Sequence, residues 1–393
     1  MKKLIRSKEL KILIVSPFFP PSATVAIVRI SSLAKELLKK GHELTIIRNE
    51  YDERIDKLSN SDVELINLKT YTVKVNQSVR YFEASKRYKE VFREIMDQKN
   101  FDLVFITAGP YYTIPLCKVA KEEYNTKCII DYRDLWIFDM RNKIDFFKPI
   151  NLIKKLVYLP IERRNIKCAD LVVTVTEEWR QILKKVYKRE EFEVITNGYD
   201  DEQLKNITNT VDYPYHDRLV IAVFGKLSYY SVEYGIKFFS AMDTLSKKYP
   251  NLLVLHIGLP EKETEEAMRI SGFDLEKYVN TGFVNYTNGI ELLKNSNACV
   301  IIDIRKGAMG TKFYDYVFVN KPLIYLGKKN THLDRLVQRF ENGFSCYTEK
   351  DLMEAVSKVE EDSISLLTNA GNAEKYSRSI QNKKYIELID NLF

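Results

Sequence analysis

Short, almost wholly apolar runs alternate along this chain with longer segments whose apolar residues recur every three or four positions. The first runs are residues 11–16 (KILIVS), 44–47 (LTII), 102–107 (DLVFIT), 128–131 (CIID) and 170–175 (DLVVTV). Strands without a polar face are expected where helices cover both sides of a parallel sheet. Between them, Ile30, Leu33, Ala34, Leu37 and Leu38 fall on one face of a predicted helix over 30–40 that Gly41 ends, and a further helix is predicted over 82–98. This alternation is the signature of strand–helix crossovers in an α/β domain.

The pattern breaks between Asn197 and Arg218, where the chain reads NGYDDEQLKNITNTVDYPYHDR and loses its aliphatic periodicity. A second alternating set follows: strands over 219–225, 252–258, 298–303 and 322–327, with helices near 235–249, 289–295 and 311–319. Two successive Rossmann-like halves are therefore expected, each an α/β domain on a parallel sheet, the two facing each other across a cleft. The first domain is placed at 1–198, a linker at 199–217, the second domain at 218–374, and a C-terminal helix at 375–393 that returns to the first domain.

Composition narrows the function classes. The 393 residues are 45% hydrophobic and 29% charged, ordinary for a globular protein. No run approaches the roughly 18–20 apolar residues of a membrane-spanning helix, and the start MKKLIRSKELKILIV has too short an apolar part for a signal peptide. A cytoplasmic location is the expectation. A net charge of +7 is modest and spread out, which suits anionic small molecules or an anionic membrane and argues against nucleic acid. The five cysteines and four histidines show no metal-ligand spacing, so neither a bound metal nor a disulfide framework is expected.

In open α/β sheets, ligands sit outside the carboxyl ends of the strands. The loops to inspect are 16–25, 107–113, 131–136, 225–235, 258–263 and 303–312. Neither a P-loop nor a well-placed dinucleotide fingerprint is present. The most informative stretch is GAMGTKFYDYVFVNKP, residues 307–322. Here Gly310 lets backbone approach a ligand, Thr311 is placed to cap the next helix, and Lys312 opens it where a helix N-terminus favours an anion. Asp315 follows at i+3 on the same face, behind the phosphate position. The alternative is a plain surface ion pair. Gly225 and Lys226 end the first strand of the second half, where a flexible ammonium reaches a diphosphate or is simply solvated.

Together the opening KILIVSPFFPPSATVAIVRISSLAKELLKKGHELTII, the middle DYRDLW, the segment ADLVVTVTEEW followed by VITNGYD, and the late TKFYDYVFVNKPLIYLG resemble the retaining glycosyltransferases of family 4 over almost the whole chain. The resemblance implies a GT-B fold, with a nucleotide-sugar donor on the second domain and an acceptor on the first. It implies that Gly225, Lys226, Gly310, Thr311 and Lys312 bind the donor diphosphate and Asp315 the ribose. Asp131, Arg133 and Asp134 of DYRDLW become candidates for orienting acceptor or sugar hydroxyls, or else brace a loop. Lys226, Lys312, Arg133 and Asp134 form the expected catalytic set, and Trp136 is read as packed. Three departures stand out: Gly307 occupies the place of the family's first acid, GKLSYYSVEYG lacks the usual second lysine, and PPSATV replaces the glycine-rich loop after the first strand.

No permanently bound cofactor is implied; a nucleotide-diphosphate sugar is the co-substrate, used without a metal. The acceptor is a glycan or lipid-linked sugar of surface-polysaccharide synthesis. Residues 141–167, basic and interleaved with apolar side chains, suit an anionic membrane face. The rival readings are a sugar-nucleotide 2-epimerase and a catalytically silent partner subunit.

Overall fold

The computed structural model describes residues 8–21, 27–50, 63–76, 78–138, 149–189, 191–205, 207, 211–307, 309–361 and 373–393. The chain divides into two compact units, one of residues 1–200 and 378–393 and one of residues 201–377. Each is built on a single parallel sheet with Rossmann-like crossovers.

In the first unit the strands are β1 (Lys11–Val15), β2 (Glu43–Asn49), β3 (Lys69–Val73), β4 (Leu103–Ala108), β5 (Lys127–Tyr132), β6 (Leu171–Thr174) and β7 (Phe192–Val194). Their order is β3-β2-β1-β4-β5-β6-β7, with every neighbouring pair parallel. β4 is buried at every position, and β1 at all but its first, because helices pack on both faces. The C-terminal helix Arg378–Asp390 belongs to this unit, where Tyr385, Ile386 and Ile389 join Leu33, Leu37 and Phe105 in one core.

The second unit's strands are β8 (Leu219–Phe224), β9 (Leu252–Ile257), β10 (Tyr278–Asn280), β11 (Ala298–Asp303), β12 (Leu323–Gly327) and β13 (Gly343–Cys346), in the order β10-β9-β8-β11-β12-β13. All are parallel to their neighbours. Its core gathers Ile221, Val223, Phe238, Phe239, Val254, Val300 and Leu326.

In both sheets the chain winds outward in two directions from a central pair, β1 and β4 in one, β8 and β11 in the other. The crevice beyond the carboxyl ends of such a pair is where doubly wound sheets bind ligands. The structure thus directs attention to Gly225 after β8 and to the loop after β11.

Candidate functional site

The second unit's switch point is assembled from four loops. Gly225 follows β8 with φ +90°, a left-handed backbone that side chains avoid. A Cβ there would lie 3.7 Å from Cε of Lys312. The two segments singled out in sequence, one ending β8 and one following β11, therefore meet. The Lys312 ammonium sits 3.4 Å from the centroid of the Phe224 ring and 3.3 Å from Asp315 Oδ2. Asp315 is 5% exposed, and its Oδ1 accepts a 2.6 Å hydrogen bond from the Tyr286 hydroxyl. Gly289 makes this packing possible, since a Cβ at that position would fall 2.6 Å from the Phe224 ring.

Thr311 corrects one expectation. Its backbone is already helical, φ −65° and ψ −23°, and its side chain makes no capping bond to the helix Lys312–Val319. That hydroxyl is consequently not committed to the helix end. The helix stops at Asn320, whose left-handed backbone lets its N–H reach the Tyr316 carbonyl.

Lys226 is half exposed and pairs with the buried Glu261 at 3.3 Å, its ammonium 4.4 Å from the Tyr229 ring centroid. Glu261 is the organiser of the loop: its Oε2 accepts from the Leu227 amide at 2.8 Å and from Thr264 Oγ1 at 3.0 Å. Beneath Gly225 lies His256, fully buried. Its Nε2 is 2.6 Å from the Gly225 carbonyl and its Nδ1 2.7 Å from the Tyr278 hydroxyl. A carbonyl only accepts, so Nε2 carries the proton and Nδ1 accepts from Tyr278. Burial lowers the pKa of this imidazole, keeping it neutral.

A third cation escaped the sequence reading. Arg305 lies in the loop after β11 and is gripped by the buried Asp303 through Nε at 2.9 Å and 3.1 Å and Nη2 at 2.5 Å. Its guanidinium stacks 3.9 Å from the Tyr230 ring centroid, and Nη2 is 3.8 Å from where a Cβ on Gly310 would be. Arg305 thus touches both the GKLSYYSVEYG segment and the Gly310 loop. An Asp two residues before an Arg at a strand end was the available signal, visible as DIR in the sequence. Each cation of this site, Lys226, Lys312 and Arg305, is held by its own largely buried carboxylate.

In the first unit the DYRDLW segment separates into unlike roles. Asp131 is 1% exposed, and both its oxygens accept from the equally buried Arg29, at 2.9 Å from Nε and 3.0 Å from Nη2. Arg29 also donates to the Thr196 carbonyl at 2.9 Å and to the Tyr385 hydroxyl. The Asp131 charge holds the Arg29 guanidinium firmly protonated despite burial. Asp131 is accordingly a brace between β5, the first helix and the C-terminal helix, which corrects its assignment to acceptor binding. Arg133 and Asp134 are partly accessible; burial lowers the Arg133 pKa, opposed by Asp131 and Asp134. Trp136 stacks on Tyr111 at 5.3 Å and 9° and on Tyr81 at 5.2 Å and 29°.

Four of the expected loops and segments fall partly outside the described residues: the loop 16–25 from 22 onward, the basic segment 141–167 over its first eight positions, the linker 199–217 at 206 and 208–210, and the loop 303–312 at 308. In the rest of that segment, within the helix Pro149–Cys168, Leu152, Leu156 and Val157 are exposed, as are Arg163 and Arg164. Among the described residues no helix is long and apolar enough to cross a membrane.

Comparison with known proteins adds a family match over part of the chain and a fold over nearly all of it. The family model described as Glycosyltransferase Family 4 matches residues 27–203. Among solved structures, sucrose-phosphate synthase from Thermosynechococcus elongatus aligns over 98% of this chain and 99% of its own, with TM-score 0.71 and 14% identity. Anabaena HepE in complex with UDP and glucose aligns over 98% and 100%, with TM-score 0.66 and 14% identity. A putative UDP-N-acetylglucosamine 2-epimerase from Listeria monocytogenes aligns over 98% and 97%, with TM-score 0.66 and 13% identity. At such identities the likeness speaks for the fold. No curated protein matches the chain.

Proposed function

We propose that this chain, with the fold of its glycosyltransferase neighbours and a family 4 match over residues 27–203, is a family 4-like glycosyltransferase that moves a sugar, with retention, from a uridine-diphosphate donor to a hydroxyl of a glycan or lipid-linked acceptor in surface-polysaccharide synthesis. The observation that carries the reading is the meeting of Gly225 and Lys312 at the β8–β11 switch point, with Lys226 and Arg305 on the flanking loops. Uridine is favoured because a neighbour of the same fold holds UDP.

As the bond from sugar to diphosphate breaks, negative charge gathers on the leaving phosphates. Lys226, Lys312 and Arg305 supply the preorganised positive charge that stabilises it. At rest each is neutralised by Glu261, Asp315 or Asp303, so the diphosphate enters by exchanging partners. When Lys312 turns to a phosphate, Asp315 Oδ2 is released to accept from a ribose hydroxyl, while Tyr286 keeps Oδ1 fixed. Arg305, over Tyr230, provides the second basic group that the GKLSYYSVEYG segment lacks. A planar fork held by one carboxylate and one ring is preorganised for a phosphate. Arg133 and Asp134 are left as the accessible polar pair of DYRDLW for the acceptor. The reaction is placed in the cytoplasm, at the inner face of the membrane where lipid-linked acceptors lie.

The test is calorimetric titration with UDP, GDP, ADP and CMP, on the natural protein and on Lys312→Ala and Arg305→Ala. Selective UDP binding weakened at least tenfold in each variant is expected, since a charge-assisted contact is worth about 1.5–3 kcal/mol. Folded protein that binds no nucleotide would turn the reading toward a silent partner subunit. Release of an epimerised sugar from donor alone would favour the 2-epimerase reading, which shares the fold.

A further inference from the structure

Far along the chain from the donor loops, the first unit carries a basic cavity of about 350 Å³ between the helices Tyr81–Gln98, Leu116–Tyr124 and Pro149–Cys168. Four cations line it: Lys89, Arg93, Lys118 and Arg164. Two of them are neutralised locally. Arg93 forks onto Glu123 with both bonds at 2.7 Å, and Lys118 pairs with Glu122 at 3.3 Å. Among the described residues neither Lys89 nor Arg164 has an ion pair, so the cavity keeps two uncompensated positive charges.

Lys89 is half-buried, and its ammonium is destabilised first by burial and next by the Arg93 charge. A like-charged cluster that loses solvent becomes more stable when an anion enters. Polar side chains are present as well. The wall includes the buried Ser85 and Asn165, and Asn165 is locked by accepting from the Lys118 amide at 3.1 Å and donating to the Ile161 carbonyl at 2.8 Å. Phe82, which lines the cavity, is 56% exposed, and on the third helix Leu156 and Val157 are 66% and 41% exposed.

We propose that this cavity is a binding site for a phosphate group, held by Lys89 and Arg164, and separate from the donor site. The chemistry recognised is a phosphate mono- or diester, carried either on a lipid headgroup lying against Phe82 or on a soluble molecule. The inference does not rest on the transferase reading, since none of its residues belongs to the donor loops.

The probes are orthophosphate, by calorimetry in the presence of saturating UDP, and vesicles of phosphatidylcholine with and without phosphatidic acid, by co-sedimentation. The variant is Lys89→Ala with Arg164→Ala. The control is Lys247→Ala with Lys350→Ala, two exposed lysines of the second unit. Affinity should fall roughly 30-fold in the variant, about fivefold per charge, and hardly change in the control. Vesicle binding that needs both phosphatidic acid and Lys89 with Arg164 assigns the phosphate to a lipid. Orthophosphate binding with the same dependence but no vesicle binding assigns it to a soluble ligand. Failure of the natural protein to bind either probe, or equal loss in variant and control, overturns the proposal. Tryptophan fluorescence of the folded state checks that the variant keeps its structure, because Trp136 and Trp179 both lie in this unit.

Discussion

Glu162 should make the first unit less stable as the pH rises through neutrality. Its carboxyl, 1% exposed on the helix Pro149–Cys168, accepts a 2.6 Å hydrogen bond from the Tyr187 hydroxyl. Burial raises it from an ordinary 4.5 to about 7, against the hydrogen bonds that favour the ionised form. The folded state therefore holds this proton more tightly than the unfolded chain. The resulting stability is complete below about pH 4.5 and lost above about pH 7, and the separation corresponds to about 3 kcal/mol. Glu162→Gln keeps an acceptor for Tyr187 and cannot ionise. Urea unfolding followed by tryptophan fluorescence, at a series of pH values, reports on this unit because both tryptophans lie in it. The variant should gain about 3 kcal/mol on the natural protein between about pH 4 and pH 8. All other titrating groups cancel in that difference. A difference independent of pH would refute the reasoning, and one of opposite sign would show that a cation compensates the buried carboxylate.

Two further outcomes follow from the geometry. Asp131→Ala should destabilise the first unit by about 3–5 kcal/mol, because it strands the buried Arg29 charge; thermal unfolding checks this, and a fully stable variant without transfer activity would return Asp131 to the acceptor site. Gly225→Ala should weaken UDP binding, as a residue with φ +90° costs about 1–3 kcal/mol when given a side chain; unchanged calorimetric affinity would remove Gly225 from the donor loop.

How far the sequence spoke depended on burial. The central strands β1, β4, β5, β8, β9, β11 and β12 were all legible, because a strand covered on both faces is a continuous apolar run. The strands that the pattern did not reveal, β3, β7, β10 and β13, are those at the four sheet edges. KTYTV, FEV, YVN and GFSC are partly exposed, short and polar, so they carry no hydrophobic signature to separate them from loop. The candidate site divided in a similar way. Gly225 and Lys312 were visible as a glycine after a strand and a cation opening a helix. Arg305, Glu261 and His256 act through partners distant in sequence, such as Tyr230, Lys226 and Gly225, and only the fold supplies those distances. Asp131 was misassigned for the same reason: its partner Arg29 lies 102 residues away.

The hydrogen bond from the Arg378 amide to the Tyr199 carbonyl, 2.9 Å long, sets the outgoing and returning segments of the first unit side by side. Tyr385, reaching Arg29 across 356 positions, completes a core begun by Leu10 and Ile12. Contacts of such sequence separation close large loops and form late. During synthesis the second unit, residues 201–377, can fold in one piece as soon as it emerges. The first unit must wait with part of its apolar core uncovered until the helix Arg378–Asp390 leaves the ribosome. The half of the protein that is made first is the half that is finished last, and a chain stopped short of Tyr385 would leave a complete second unit attached to an unfinished first unit.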